Sequence, residues 1–344
     1  MGSQLDYGAV SELMFEAGWT DGLPVVPPTR EWVNRFIDAS GRGADERIAP
    51  LLPLGGLATV ERVAANAVMA GCKPEYMPVI ITALEAMVED RFNLNGMQCS
   101  THMASPLVIV HGPIRQTLGI NCAGNAFGQG WRANATIGRA VKLALVNIGG
   151  ARPPHVDKAT LGQPGKFTFC VGENEEASPW EPLHVERGFS ATDSAVTVYG
   201  AEGLHNVNNQ MVNSPVDFLT TMASMMATLG SNHSYLMGES FVVLGPEHAD
   251  VCANAGWKKS DVKQFLFEHA RVPHRLLKLG GIYGPETDKY DYWPRWVNRR
   301  NDDELVPVAR RAEDITIIVV GGAGRHSAYL PGWGTRSVTR KILS

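Results

Sequence analysis

The chain has 344 residues, 44% hydrophobic and 19% charged, so it can bury a large core and is no disordered segment. Its 31 Lys and Arg against 35 Asp and Glu leave a net charge of −4, without the basic footprint of a nucleic-acid or anionic-membrane binder. Neither a bilayer-length apolar run nor a basic leader is present, and five dispersed cysteines lack any C-x-x-C, so a cytoplasmic protein with reduced thiols is expected.

Residues 9–18 predict a short helix, after which Leu23-Pro24-Val25-Val26-Pro27-Pro28 must run extended because its prolines fix the backbone. That stretch reads as a clamp holding the N-terminal segment to the body. Thr29 predicts the N-cap of a helix reaching about Ala39 and stopped by Gly41. Thr59 caps another, with Val60, Val63, Ala64, Ala67 and Val68 on one face and Gly71 at its end. Pro74 opens a third. Cys72 thus lies just ahead of a helix N-terminus and beside Lys73, a position that favours thiolate. His102 sits in a polar loop as a candidate acid, base or ligand; the strand Leu107 to Val110 ends at His111, which reads as structural.

The glycine-rich run Asn121 to Trp131 leads into a helix ending near Gly149. Exposed N–H groups at that helix start, with Arg132, Asn134 and Arg139, predict a seat for a carboxylate or a single phosphate. The spacing matches neither G-x-G-x-x-G nor a Walker loop, so no nucleotide is implied. Residues 151–166, rich in Pro and Gly, mark a lobe boundary. A strand from Phe167 to Val171 then delivers Cys170 to the acidic stretch Glu173 to Phe189. If Pro182 to Arg187 is a strand, its alternation puts His184 and Glu186 on one face, with Glu181 upstream.

Further on, Ala195 to Tyr199 and Phe241 to Leu244 predict strands, and Pro215 to Leu229 a helix whose methionines are core filler. Ser260 and Asp261 open a helix to about Ala270. Helix, glycine, His-bearing loop, apolar strand and Gly-Pro occur around 74–113 and again around 215–246, placing His102 and His233 in related loops. The aromatic and charged run 283–304 resembles a docking surface. Finally, Ile315 to Val320 is a buried strand feeding Gly321 to Ser327, which sets His326 and Ser327 on a loop at a strand's carboxyl end, where α/β sheets bind ligands.

These patterns predict an α/β fold: two lobes from a duplicated α/β unit, with mixed sheet and flanking helices. Residues 1–150 would form an N-terminal lobe carrying the anion loop, and residues 151–344 a C-terminal lobe carrying the acidic stretch and the terminal glycine loop. The chemistry requiring fewest assumptions is acid–base or metal-assisted work of the lyase or hydrolase type by His184, Glu181 and Glu186, with His102 as a further acid or base. Arg132, Asn134, Arg139, His326 and Ser327 would hold a small anionic substrate. A divalent transition metal would draw on His184, Glu186, His205 and His233. Cys72 or Cys170 offers a nucleophile, and no G-x-S-x-G points to a serine hydrolase.

D-G-L-P-V-V-P-P-T (21–29), N-A-V-M-A-G-C-K-P-E-Y (66–76), W-R-A-N-A-T-I-G-R-A (131–140), Q-P-G-K-F-T-F-C (163–170), E-N-E-E-A-S-P-W-E-P-L-H-V-E-R-G-F (173–189) and G-G-A-G-R-H-S (321–327) are strings of a familiar kind. With them, most of the chain resembles the UGSC (seleno)protein family and its larger relatives. That family's selenocysteine-Gly-Ser-Cys tetrapeptide implies thiol or selenol redox chemistry. This chain departs from it: the nearest string is Gln98-Cys99-Ser100. The resemblance thus implies a thiol- or selenol-linked oxidoreductase component, with redox chemistry here either absent or supplied by a separate small partner; the aromatic patch near 290–296 suggests instead a non-catalytic subunit that docks a redox partner. A homo-oligomer is the other association expected.

Overall fold

The computed structural model describes residues 6–280 and 297–343. In chain order its strands are β1 (Arg47–Leu51), β2 (Gly56–Thr59), β3 (Ser105–His111), β4 (Cys170–Gly172), β5 (Ala195–Ala201), β6 (His205–Asn208), β7 (Ser240–Leu244), β8 (Arg271–Pro273), β9 (Leu305–Pro307), β10 (Ile315–Val319), β11 (His326–Leu330) and β12 (Val338–Lys341). β1 with β2, and β8 with β9, form two-stranded antiparallel ribbons.

The other eight strands make two four-stranded sheets with one shared plan, ordered β4-β3-β5-β12 and β10-β7-β11-β6. In each, the first two strands are parallel and the next two pairings antiparallel. The expected α/β architecture with mixed sheet and flanking helices is what the chain forms. The repeat seen in the sequence corresponds to β3 with its His111-Gly112-Pro113 end and β7 with its Gly245-Pro246 end. Each sheet borrows its outermost strand: β6 follows β5 but pairs with β11, while β12 follows β11 but pairs with β5. The first sheet therefore takes strands from both sides of residue 150.

Strand alternation builds a four-layer sandwich. Val108, Val110, Val196 and Val198 face a core shared with helices Val60–Ala70, Met77–Met87 and Arg132–Asn147. Leu107, Ile109 and Tyr199 point the other way, into a core shared with Phe241, Val243, Ile318 and Leu330 of the second sheet. Val242, Leu244, Ile315 and Ile317 then meet helices Pro215–Met226 and Lys259–His269. Fully apolar strands read as continuous hydrophobic runs because both faces are covered.

Local signals explain several helix ends. Thr29 accepts from Trp32 N and Thr59 from Arg62 N, and Gly41 and Gly71 close their helices with φ of +67° and +83°. Arg139 forms a two-pronged ion pair with Asp21 at 2.8 Å and also donates to the carbonyls of Leu23 and Pro24. The proline-rich segment is thus clamped to helix Arg132–Asn147, as its sequence suggests.

Two elements differ from expectation. Residues 183–186 form a short helix, not a strand. The Glu173 carboxylate accepts the Leu183 N–H at 3.0 Å and 3.2 Å, a cap supplied ten positions upstream that overrides local alternation. Arg325 to Ser327 are not a free loop either, since His326 and Ser327 begin β11 and pair with Asn208 and Val207. The aromatic residues Tyr290 to Trp296 lie outside the described residues.

Candidate functional site

The carboxyl ends of the parallel pair β3 and β4 carry a cluster of ionisable groups, the position at which α/β sheets hold ligands. His111 is the last residue of β3, and Glu173 and Glu175 follow β4. Gly112 turns the chain with φ +78°, and a Cβ there would meet the Asp193 carbonyl oxygen at 2.1 Å, so glycine is required. Its N–H donates to Glu175 Oε1 at 2.7 Å.

His111 is fully buried. Its Nδ1–H donates to Glu173 Oε2 at 2.8 Å, since a carboxylate can only accept, and its Nε2 contacts Thr197 Oγ1 at 2.8 Å. Thr197 continues to Thr339 at 2.7 Å, and Arg187 donates to Thr339 at 2.7 Å. Arg115, 3% exposed, donates to the Glu173 carbonyl at 2.6 Å, pairs with Glu175 Oε2 at 3.0 Å and forks onto Glu176 at 2.9 Å and 3.1 Å. Its hydrogen bonds hold the Glu176 carboxyl below the usual carboxylate range.

His184 differs from its neighbours. Its side chain is 0% exposed, yet neither ring nitrogen has a hydrogen-bond partner. The ring stacks on His111 with centroids 5.6 Å apart, and Nδ1 stands 3.8 Å from Glu175 Oε1, too far for a hydrogen bond. Burial, then the neighbouring His111, lowers its pKa, so the imidazole is neutral near pH 7. One ligand atom each from His111, Glu175 and His184 lie within 4.8 Å of one another, the set of this kind among the described residues.

The other expected site residues are elsewhere. Glu181 is exposed and its carbonyl accepts from Lys259 at 2.8 Å. Glu186 is neutralised by Lys259 at 3.1 Å and by Lys263 from the neighbouring helix; burial raises its pKa but the two ammonium groups more than offset this, leaving it lowered. Neither acid pairs with His184: Glu181 lies ahead of the helical turn at 183–186, and Glu186 is turned to the two lysines. His102 Nε2 pairs with Glu202 at 2.8 Å, with His205 Nε2 3.9 Å from the same carboxylate. His233 is buried in the second core, which pushes its pKa down to about 4. The expected metal set of His184, Glu186, His205 and His233 therefore does not converge. Of the four, only His184 belongs to the three-residue set, where it lies beside His111.

The arginines of the expected anion seat have partners within the protein. Arg132 donates to the carbonyls of Gly71 and Cys72, and Arg139 is committed to Asp21; neither pairs with an acid of the 173–186 stretch. Asn134 ties the loop together through the backbone of Asn121. Cys72 is buried, with its thiol pushed up to about 12 by desolvation despite Arg132 and Arg139, and burial raises Cys170 as well. The expected thiolates are thus disfavoured where they lie. Cys122 is half-buried beside Arg115, its Sγ 3.7 Å from Nη1. Ser327 is bonded beneath the sheet to His248 at 2.8 Å, and His326 to Asn206 at 3.1 Å. A cavity of about 450 Å³ lies at the ends of β7 and β10, lined among others by Phe127, Asn206, Val320 and His326. A second, of about 570 Å³, lies on the other flank of Phe127, against Gln163, Thr168 and Phe169. Arg115 goes unremarked in the sequence and Glu175 reads there only as one member of the acidic stretch, yet the two pair at 3.0 Å beside His184. The available signal was the His-Gly-Pro turn at a strand's carboxyl end.

Fold and site together define the class: a four-layer α/β protein with a buried two-histidine, one-glutamate centre at the mouth of a parallel strand pair. No protein-family model matches the chain, and no curated protein matches it.

Proposed function

We propose that the protein is an enzyme that transfers protons at the His111, Glu175 and His184 centre, of the hydrolase or lyase type, on a small molecule bearing a carboxylate or phosphate. The observation that carries this reading is His184: a neutral, fully buried imidazole with both nitrogens unpartnered and a carboxylate 3.8 Å away. Such a group is costly to a fold and suited to general base work. Arg115 would supply the anion hold. Glu176, whose side chain is 53% exposed, now occupies its guanidinium fork and would be exchanged for the substrate's own carboxylate or phosphate. Five unpaired cysteines favour a reducing, cytoplasmic compartment.

The test is a thermal-shift and turnover screen of small carboxylates, phosphates and their esters on wild type, Arg115→Met and His184→Ala. The reading expects at least one compound to stabilise wild type and to lose that effect in Arg115→Met, with turnover absent in His184→Ala. Anion responses that persist unchanged in Arg115→Met, or turnover that survives His184→Ala, would overturn it.

A further inference from the structure

We infer that His111, His184 and Glu175 bind one divalent transition-metal ion, with Glu173 and Thr197 orienting the His111 ring. The inference rests on the centre being the working site proposed above, and adds the cofactor.

Three independent observations meet here. The first is proximity: three potential ligand atoms from three separate segments lie within 4.8 Å of one another. An ion about 2.1 Å from each needs ligand atoms roughly 3 to 4 Å apart, so small side-chain rotations close the set. The second is the orphaned imidazole. His184 is buried in the cluster with no partner for either nitrogen, and a metal supplies the partner that no protein group does. The third is charge. Glu175 and Glu176 share one guanidinium, Arg115, while the buried Glu173 carboxylate has only His111 and the Leu183 N–H against it, so acid outnumbers base around the two rings and calls for a cation.

The surroundings fit a ligand shell as well. Whichever nitrogen His111 turns to the ion, the other keeps a partner, either the Glu173 carboxylate or the Thr197 hydroxyl. A carboxylate or hydroxyl behind a ligating imidazole fixes its tautomer and aim. Glu173 is itself pinned by the Leu183 N–H, adjacent in the chain to His184, so the short helix that carries one imidazole also holds the carboxylate behind the other. Two imidazoles and one carboxylate select Zn, Fe, Co or Ni over Mg or Ca, which prefer all-oxygen sets. Three protein ligands leave coordination positions for water and substrate, the arrangement of catalytic rather than structural sites.

The experiment is equilibrium dialysis of the chelator-stripped full chain against Zn(II), Co(II) and Mg(II), with metal content by mass spectrometry and Co(II) d–d absorption as a second readout. About one Zn or Co per chain is expected, without stoichiometric Mg. Affinity should fall at least tenfold in Glu175→Ala and in His184→Leu, but not in His102→Ala or Glu181→Ala. Circular dichroism establishes that each variant is folded, and the Co(II) spectrum of wild type reports nitrogen and oxygen ligation without any variant. Failure of wild type to take up Zn or Co, a thiolate charge-transfer spectrum, or undiminished binding in the Glu175→Ala/His184→Leu double variant would overturn the inference. Should metal fail to bind while His184→Ala still abolishes turnover, proton transfer stands and the metal alone falls. Stoichiometric metal with Arg115-independent anion responses would give the reverse result.

Discussion

Replacing His184 by leucine separates a residue kept for chemistry from one kept for the fold. In the metal-free protein this imidazole has two buried nitrogens without partners, and each such group costs about 1–3 kcal/mol when left unsatisfied. Leucine is of similar size, adds apolar contact and removes both penalties. Allowing for imperfect packing, His184→Leu should raise unfolding free energy by about 1–2 kcal/mol. His248 provides the internal contrast. It is equally buried, but its two nitrogens contact Ser327 Oγ at 2.8 Å and the Asn209 carbonyl at 3.0 Å. His248→Leu strands both partners and should cost about 2–4 kcal/mol. Urea unfolding in chelator, followed by circular dichroism, measures both, since a bound ion would stabilise wild type selectively. Destabilisation of His184→Leu by as much as His248→Leu would refute the reasoning, because it would mean that the imidazole holds the fold together.

Stability should fall as pH drops from about 6.5 to about 4, because His233 stays neutral in the fold down to about 4 while the unfolded chain takes up a proton near 6.5. The full loss from this group is about 3 kcal/mol, and His233→Leu should flatten that part of the curve in pH-dependent urea titrations. Native-state alkylation at pH 7.5 should modify half-buried Cys99 and Cys122 well before Cys72, Cys170 and Cys252, as peptide mapping would reveal; early labelling of Cys72 would contradict its burial and raised pKa. Arg139→Ala should cost about 2–3 kcal/mol and expose residues 19–28 to limited proteolysis, because it leaves the Asp21 carboxylate unpaired; unchanged cleavage would show that the segment is held by other contacts.

What was legible in the sequence was what neighbours in the chain decide. Thr29, Thr59, Gly41 and Gly71 delimit helices through bonds within a turn, so their meaning is local and readable. The two Gly-Pro strand ends betrayed the repeat for the same reason. The acidic stretch and His184 stand out in the sequence, but not which of the acids gather around that ring. Glu181 and Glu186 looked equivalent to Glu173 and Glu175 until Lys259 and Lys263, more than seventy positions away, claimed Glu186. Arg132 and Arg139 looked free for a ligand because nothing nearby shows that Gly71, Cys72 and Asp21 will occupy them. Arg115, in a short helix after His-Gly-Pro, carries no pattern at all. It is defined by Glu173, Glu175 and Glu176, about sixty residues downstream.

The borrowed outer strands have a consequence for how this protein comes into being. On the ribosome, β3, β4 and β5 emerge together, but the edge of their layer remains open until Val338–Lys341 arrives to pair along β5. Throughout that interval an unpaired edge is presented to every other nascent chain, a hazard that contacts spanning long stretches of sequence impose during synthesis. Neither sheet can complete itself from its own stretch of chain, so deleting residues 338–341 should damage the layer made first, although that segment is made last.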